Sequence, residues 1–183
     1  MVDTDKGWIV RERLIEGMLE CGALKFGDFT LTSGKQSKYY VDVKTAVTRP
    51  ELLRAIAHAM APFTVGCDRI AGVELGAVPI AAAVSLETNI PYIMVRKERK
   101  EHGTQKPFEG ELRAGERVLF VEDVVTTGGT LAKAVASMRL LGAKIEKVVC
   151  VVDREEGGFE KLRDADLELH SLVKGSDLVS AAR

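Results

Sequence analysis

Val118-Leu-Phe-Val-Glu-Asp-Val-Val-Thr-Thr-Gly-Gly-Thr130 decides how the rest of the chain is read. Its four leading residues, Val118 to Val121, make the short apolar run that a fully buried parallel strand requires. The turn to acid at Glu122 and Asp123 marks the expected carboxyl end of that strand. Beyond Val124 and Val125, the loop Thr126-Thr127-Gly128-Gly129-Thr130 is built of small residues. Leu131, Ala134, Val135, Met138 and Leu141 then repeat at helical spacing until Gly142. The unit is strand, acidic pair, small-residue loop, helix. Such a loop aims backbone N–H groups and hydroxyls at one point, and the positive end of the following helix adds to them, so a phosphate is the natural occupant. The two carboxylates cannot bind that phosphate and suit its neighbours: ribose hydroxyls, or a magnesium ion shared with a second phosphate. A nucleotide P-loop is excluded because no Gly-Lys-Ser/Thr follows the glycines.

Working outward, apolar runs at Arg69–Val73, Ile90–Val95, Lys147–Val152 and Leu167–Leu172 alternate with helical patterns from Thr48 onward. This alternation predicts an α/β fold: an open parallel sheet flanked by helices on both faces. Thr48 to Glu51 reads as a capping box opening a helix that carries Leu53, Ile56, Ala57 and Met60. An earlier helix over residues 8–21 ends at Gly22. Between them, Phe29–Thr32 and Tyr39–Val43 flank a Ser-Gly-Lys-Gln-Ser turn, a hairpin outside the main alternation. The expected organisation is one domain over 1–183, with a small hood from the N-terminal segment to about 45 and a core from about 46.

Residues 97–116 offer many charges and almost no apolar periodicity, and a connection of that length without a core of its own is usually a lid or disordered. Arg96, Lys97, Arg99, Lys100 and His102 would give such an arm the charge to close over a polyphosphate. A solvated, balanced charge run is the plainer alternative. Arg154 follows the Lys147–Val152 strand on the same sheet edge as Glu122 and Asp123. There a guanidinium suits either a planar carboxylate held at two points or an ordinary surface ion pair.

The 183 residues carry 26 basic and 27 acidic side chains, a formal net charge of -1, which gives no global reason to expect a nucleic-acid or membrane partner. Cys21, Cys67 and Cys150 are odd in number and widely spaced, so neither a disulfide framework nor a zinc site is indicated, and Cys150 falls within an apolar run. No apolar stretch reaches membrane-spanning length, and a soluble cytoplasmic protein is expected.

Residues 118–130 resemble the 5-phosphoribosyl-1-pyrophosphate (PRPP) motif of the type I phosphoribosyltransferases. Phe29-Thr-Leu-Thr-Ser-Gly-Lys-Gln-Ser-Lys-Tyr-Tyr-Val-Asp42 resembles the hood of the orotate phosphoribosyltransferases, Arg96-Lys-Glu-x-Lys-x-His-Gly103 their catalytic loop, and Val152-Asp-Arg-Glu-x-Gly-Gly158 their orotate-contacting segment. The resemblance implies transfer of phosphoribose from PRPP to orotate with Mg2+, giving orotidine 5′-monophosphate and pyrophosphate. It implies that Glu122 to Thr130 bind PRPP, with Asp123 catalytic. Lys100 would be the catalytic cation, acting with Arg96, Lys97 and His102 on the pyrophosphate. Thr126 and Arg154 would hold orotate, with Tyr39 and Tyr40 near the pyrimidine. No residue is assigned as a metal ligand of the protein's own. A homodimer is implied, its arm covering the neighbouring subunit's site. The chain departs from the bacterial pattern in the loop Glu74–Pro79, where Gly76 stands in place of a lysine and Glu74 would repel pyrophosphate unless it acts through magnesium or turns away. A purine or uracil phosphoribosyltransferase is the alternative, disfavoured by the hood and Arg154. A PRPP-sensing regulator that binds nucleic acid is disfavoured by the absence of basic excess.

Overall fold

The computed structural model describes residues 4–30, 34, 36–97 and 106–183, with side chains from Arg11 onward. Helix α1 (Thr4–Glu20) leads into a hairpin of β1 (Leu24–Thr30) and β2 (Gln36–Val41), a short helix α2 (Val43–Val47) and α3 (Pro50–Met60). There follow β3 (Arg69–Val73), α4 (Val78–Thr88), β4 (Tyr92–Val95), β5 (Phe108–Glu109), β6 (Val118–Val125), α5 (Gly129–Leu140), β7 (Lys147–Asp153), α6 (Gly158–Arg163), β8 (Glu168–Lys174) and α7 (Gly175–Ala181). Among the described residues the main sheet runs β5-β4-β3-β6-β7-β8, and every neighbouring pair is parallel except β4 and β5. The hairpin forms a separate two-stranded sheet.

The open sheet with helices on both faces follows from side-chain alternation. Leu119 and Val121 of β6 and Val149 and Val151 of β7 enter one core, with Leu14, Ile56, Ile80 and Leu178 from α1, α3, α4 and α7. Val118, Phe120, Val148 and Cys150 enter the other, with Leu131, Val135 and Met138 of α5 and Leu162 of α6. Strands buried on both faces read as unbroken apolar runs, which is why these were legible. Cys150 is fully buried, and burial pushes its thiol well above the usual range.

Four expectations are corrected. The strand that opens at Val118 does not stop at Val121: it continues through both acids to Val125, because β7 keeps pairing with it after β3 has ended. Thr48 does not cap α3. Its hydroxyl donates to Thr45 O at 2.9 Å, closing the unforeseen helix α2, and Arg49 occupies the N-cap of α3. Leu141 lies past the end of α5 and is 46% exposed instead of completing its apolar face. The hairpin strands start earlier than expected, with a bulge between Phe26 and Phe29.

The connection expected to be unstructured over 97–116 is tied down at its far end. Phe108 is buried in the second core, β5 pairs with β4, and Arg96 N donates to Pro107 O at 2.8 Å. Arg69, buried at the start of β3, grips Glu116 at two points (2.9 and 2.7 Å). That grip, before the other contacts, holds the Glu116 carboxyl below its usual range. Phe108→Ala should cost about 3 kcal/mol, the low end for a buried phenylalanine. It should also speed amide exchange at Arg96; exchange unchanged from the parent would show that β5 is not what fixes this segment.

Candidate active site

The ends of β3, β6 and β7 surround a cleft of about 450 Å³, lined from the hood side by Thr30, Tyr40 and Val41 and from the core by the strand ends and the loop before α5. β6 pairs with β3 only from Val118 to Val121 but stays paired with β7 as far as Val125 and Asp153. The two acids therefore emerge beyond the end of β3, beside the loop that opens at Glu74. Asp123 is buried. Its Oδ1 accepts from Val124 N at 2.8 Å, and its Oδ2 lies 3.5 Å from Lys44 Nζ. A Cβ added at Gly76 would stand 1.9 Å from that same Oδ2, so the carboxylate packs directly on a bare backbone.

Glu122 accepts from Asp123 N at 3.0 Å. Burial of its carboxyl pushes its pKa well above the usual 4.5, hydrogen bonding and repulsion from Asp123 push it further, and the charge of Lys97 works against them. A carboxyl with a raised pKa takes up a proton more readily than a free glutamate, and once protonated it can donate a hydrogen bond as well as accept one.

Past Val125 the chain turns through Thr126 and Thr127 to Gly128, whose φ of 71° places it in the left-handed region as the N-cap of α5. No side chain caps that helix. The N–H groups of its first turn thus face the cleft end of a twelve-residue helix, where an anion would satisfy them. Gly129 and Thr130 line the same cleft, as do Val124, Val125, Thr126 and Thr127. The loop is held from behind by Gly158: a Cβ there would come within 2.4 Å of Val125 Cγ1 and 2.6 Å of Thr126 O.

Arg154 follows β7 and lines the cleft with its side chain only 3% exposed. Nη2 donates to Ser37 Oγ at 2.9 Å and to Tyr39 O at 3.3 Å, and pairs with Glu156 at 2.9 Å. The guanidinium lies 4.4 Å from the centre of the Tyr39 ring. The tyrosine pair therefore divides: Tyr39 stacks on Arg154, while Tyr40 lines the cleft and packs on Phe29 at 5.6 Å.

On the opposite wall Lys97 lines the cleft, and its N–H donates to Glu74 Oε1 at 3.0 Å. Glu74 N in turn donates to Val95 O at 2.8 Å, and the Glu74–Leu75 peptide is cis. The Glu74 carboxylate thus fastens the loop to the root of the arm. Arg96 does not line the main cleft. It pairs with Glu109 and borders an adjoining concavity with Lys97, Thr130 and Lys133. Lys100 and His102 lie outside the described residues.

An uncapped helix start, an acidic pair and a buried guanidinium thus meet in one cleft. The phosphoribosyl transferase domain model matches residues 42–172. An orotate phosphoribosyltransferase of Methanosarcina acetivorans is 50% identical over 171 residues, covering 92% of this chain and 91% of that protein. The chain belongs to the orotate phosphoribosyltransferase family. A crystal structure of the family from Aeropyrum pernix superposes with a TM-score of 0.83 at 30% identity, covering 92% of this chain and 97% of that one. A Mycobacterium tuberculosis H37Rv structure in complex with PRPP superposes with a TM-score of 0.74 at 29% identity, covering 93% and 99%.

Reading the residues in order missed Lys44, Ser37 and Glu156 as parts of this cleft and its wall. Nothing in the local sequence around Lys44 marks it, since the helix that presents it was itself unforeseen. Two outcomes test the geometry. In the folded protein Glu122 holds its proton to a higher pH than in the unfolded chain, so the stability this confers is present at low pH and is lost as pH rises above 4.5 through the folded value. Glu122→Gln should melt close to the parent near pH 4.5 and increasingly above it toward pH 8; a pH-independent gap would mean the carboxyl is not held neutral. Gly76→Ala must displace the Asp123 carboxylate and should lower kcat/KM by about 10²-fold, as an ångström-scale misplacement does, with the melting temperature nearly kept. Parent-like turnover would show that the position of Asp123 is not critical.

Proposed function

We propose that this protein transfers the 5-phosphoribosyl group of PRPP to orotate, giving orotidine 5′-monophosphate and pyrophosphate, a step of pyrimidine nucleotide synthesis. The observation that carries this reading is the meeting in one cleft of an uncapped helix start, two carboxyls and a buried guanidinium. The name of the Methanosarcina relative and the PRPP of the Mycobacterium structure support the same reading.

The loop Thr126–Thr130 receives the 5′-phosphate at the start of α5, fixing one end of PRPP. Glu122 and Asp123 take the ribose hydroxyls. As the bond from the anomeric carbon to pyrophosphate breaks, positive charge grows on the ribose and negative charge on the leaving group. Orotate N1 gives up its proton, to the departing pyrophosphate or to water, and forms the new bond to the anomeric carbon while the pyrophosphate oxygen keeps the electron pair of the old one. The base is the nucleophile, so the protein's work is alignment and charge stabilisation in a site closed to water. Lys97, with Arg96, Lys100 and His102 from the arm, offsets the leaving group's charge, and Lys100 is the catalytic cation. Arg154 holds the orotate carboxylate beside Thr126. Its Nε is buried with no hydrogen-bond partner among the described residues, donor capacity that a carboxylate would use.

Among the described residues no group of three or more His, Cys, Asp or Glu is placed to hold a metal ion by itself. Two carboxyls next to a diphosphate fit Mg2+, which takes one or two carboxylates, substrate oxygens and water. When bound with PRPP it neutralises leaving-group charge. The chain acts as one domain with its hood over the core. The arm, expected over 97–116, is shorter, since the chain is docked again from Pro107. It works in a homodimer whose arms reach the neighbouring subunit's site. Among the described residues no helix is long and apolar enough to cross a membrane, and a cytoplasmic protein without nucleic-acid partners fits the balanced charge.

Mixing the protein with orotate, PRPP and Mg2+ should release pyrophosphate; release with uracil or a purine base in place of orotate would reassign the substrate. Arg154→Ala should raise KM for orotate about 10- to 100-fold, the worth of a charged hydrogen-bonding pair, with KM for PRPP nearly unchanged. Equal rises for both would remove Arg154 as the carboxylate clamp.

A further inference from the structure

Lys44 projects from α2 into the cleft, and α2 is firmly seated: Val43, Ala46 and Val47 are buried in the core, and Asp42 N just before it donates to Ala23 O at 2.7 Å. The ammonium at the end of that side chain is differently placed. The side chain is 56% exposed, and its contact with Asp123 is a 3.5 Å ion pair. Asp123, by contrast, is only 10% exposed, so the ammonium can leave only where another group takes its place beside that carboxylate.

The cleft needs such a cation. Glu74 and Asp123 line it, and a diphosphate brought beside them would be repelled without opposing charge. Among the described residues, the lysines and arginines of its lining are Lys44, Lys97 and Arg154. Arg154 is held through Nη2 by Ser37, Tyr39 and Glu156, and its spare donor is the one proposed for orotate. The loop Glu74–Pro79 cannot contribute one either. Gly76 has no side chain, and any side chain there would run into Asp123.

Resting on the phosphoribosyl transfer proposed above, we infer that Lys44 contacts substrate: its ammonium leaves Asp123 to bind the diphosphate of PRPP, supplying from α2 the charge that the bare loop at Gly76 cannot. Lys44 gives the buried Asp123 carboxylate a counter-charge. When PRPP enters, the ribose hydroxyls become partners for Asp123 and the diphosphate becomes the partner for Lys44. The two groups that face each other in the empty site thus end on adjacent parts of one substrate. The bare glycine and the lysine on α2 belong to one arrangement.

The reaction run backwards separates the possibilities, because pyrophosphate and orotidine 5′-monophosphate then enter as independent ligands. Lys44→Ala should raise KM for pyrophosphate, and for PRPP in the forward direction, by about 10- to 100-fold. KM for orotidine 5′-monophosphate should be little changed, and Lys44→Arg should recover most of the loss and melt near the parent. A parallel rise for pyrophosphate and the nucleotide would overturn the contact and leave Lys44 as a support for Asp123 alone. Unchanged constants would remove it from the site. Should the parent turn over no orotate, the transfer reading falls by itself. Calorimetric titration of PRPP with Mg2+ into the parent and Lys44→Ala then still decides the inference, which fails if both bind alike.

Discussion

The whole site depends on one mismatch in the sheet: β6 is paired on one side for longer than on the other. Against β3 the pairing ends at Val121, and against β7 it continues to Val125. A strand end supported by a single neighbour can hold polar side chains over open space without fraying, because half of its backbone groups remain in a ladder. Glu122 and Asp123 thus gain a rigid mount at the carboxyl edge of a parallel sheet, where ligands of open α/β folds gather. The loop to α5 starts from the same strand end, so the uncapped start of α5 and the acidic pair share one mount.

Charge in the cleft is arranged so that no group is stranded. Asp123 faces Lys44, Glu74 accepts from the backbone of Lys97, and Arg154 is gripped by Glu156 and the hood. Glu122 is handled differently: burial raises its pKa, so its carboxyl gives up a proton less readily than a free glutamate. Burying two neighbouring carboxylates as ions would be expensive, and neutralising one of them is the cheaper outcome. The resting cleft is therefore polar, yet most of its charges already have partners that a substrate can replace.

Arg154 is also where hood and core meet. Its guanidinium joins Ser37 and Tyr39 of the hairpin to the end of β7, a separation of more than a hundred residues along the chain. Room for Tyr39 is left by Gly175 at the start of α7, where a Cβ would stand 2.7 Å from the tyrosine hydroxyl. On the far side of the hood, Arg11 of α1 pairs with Asp177 of α7. The start of α7 thus backs Tyr39, and α7 is itself tied to α1 through this ion pair.

The parallel sheet, its helices and the small-residue loop could be read from the chain alone, because each is written in contiguous residues: an apolar run, a helical repeat, a string of Thr and Gly. Gly128 and Gly129 were recognisable for the same reason, whereas Arg154 at a strand end read equally well as a surface ion pair until its burial against Tyr39 was seen. Thr48 misled, since a hydroxyl three residues before a glutamate opens one helix or closes another, and only the packing of Val43, Ala46 and Val47 chose between them. The length of β6, the docking of Phe108, the division of labour between Tyr39 and Tyr40, and the meeting of Lys44, Gly76 and Asp123 were decided by tertiary structure. Each depends on which strand stops first or which residue distant in sequence arrives alongside, and local propensity carries no record of such distances.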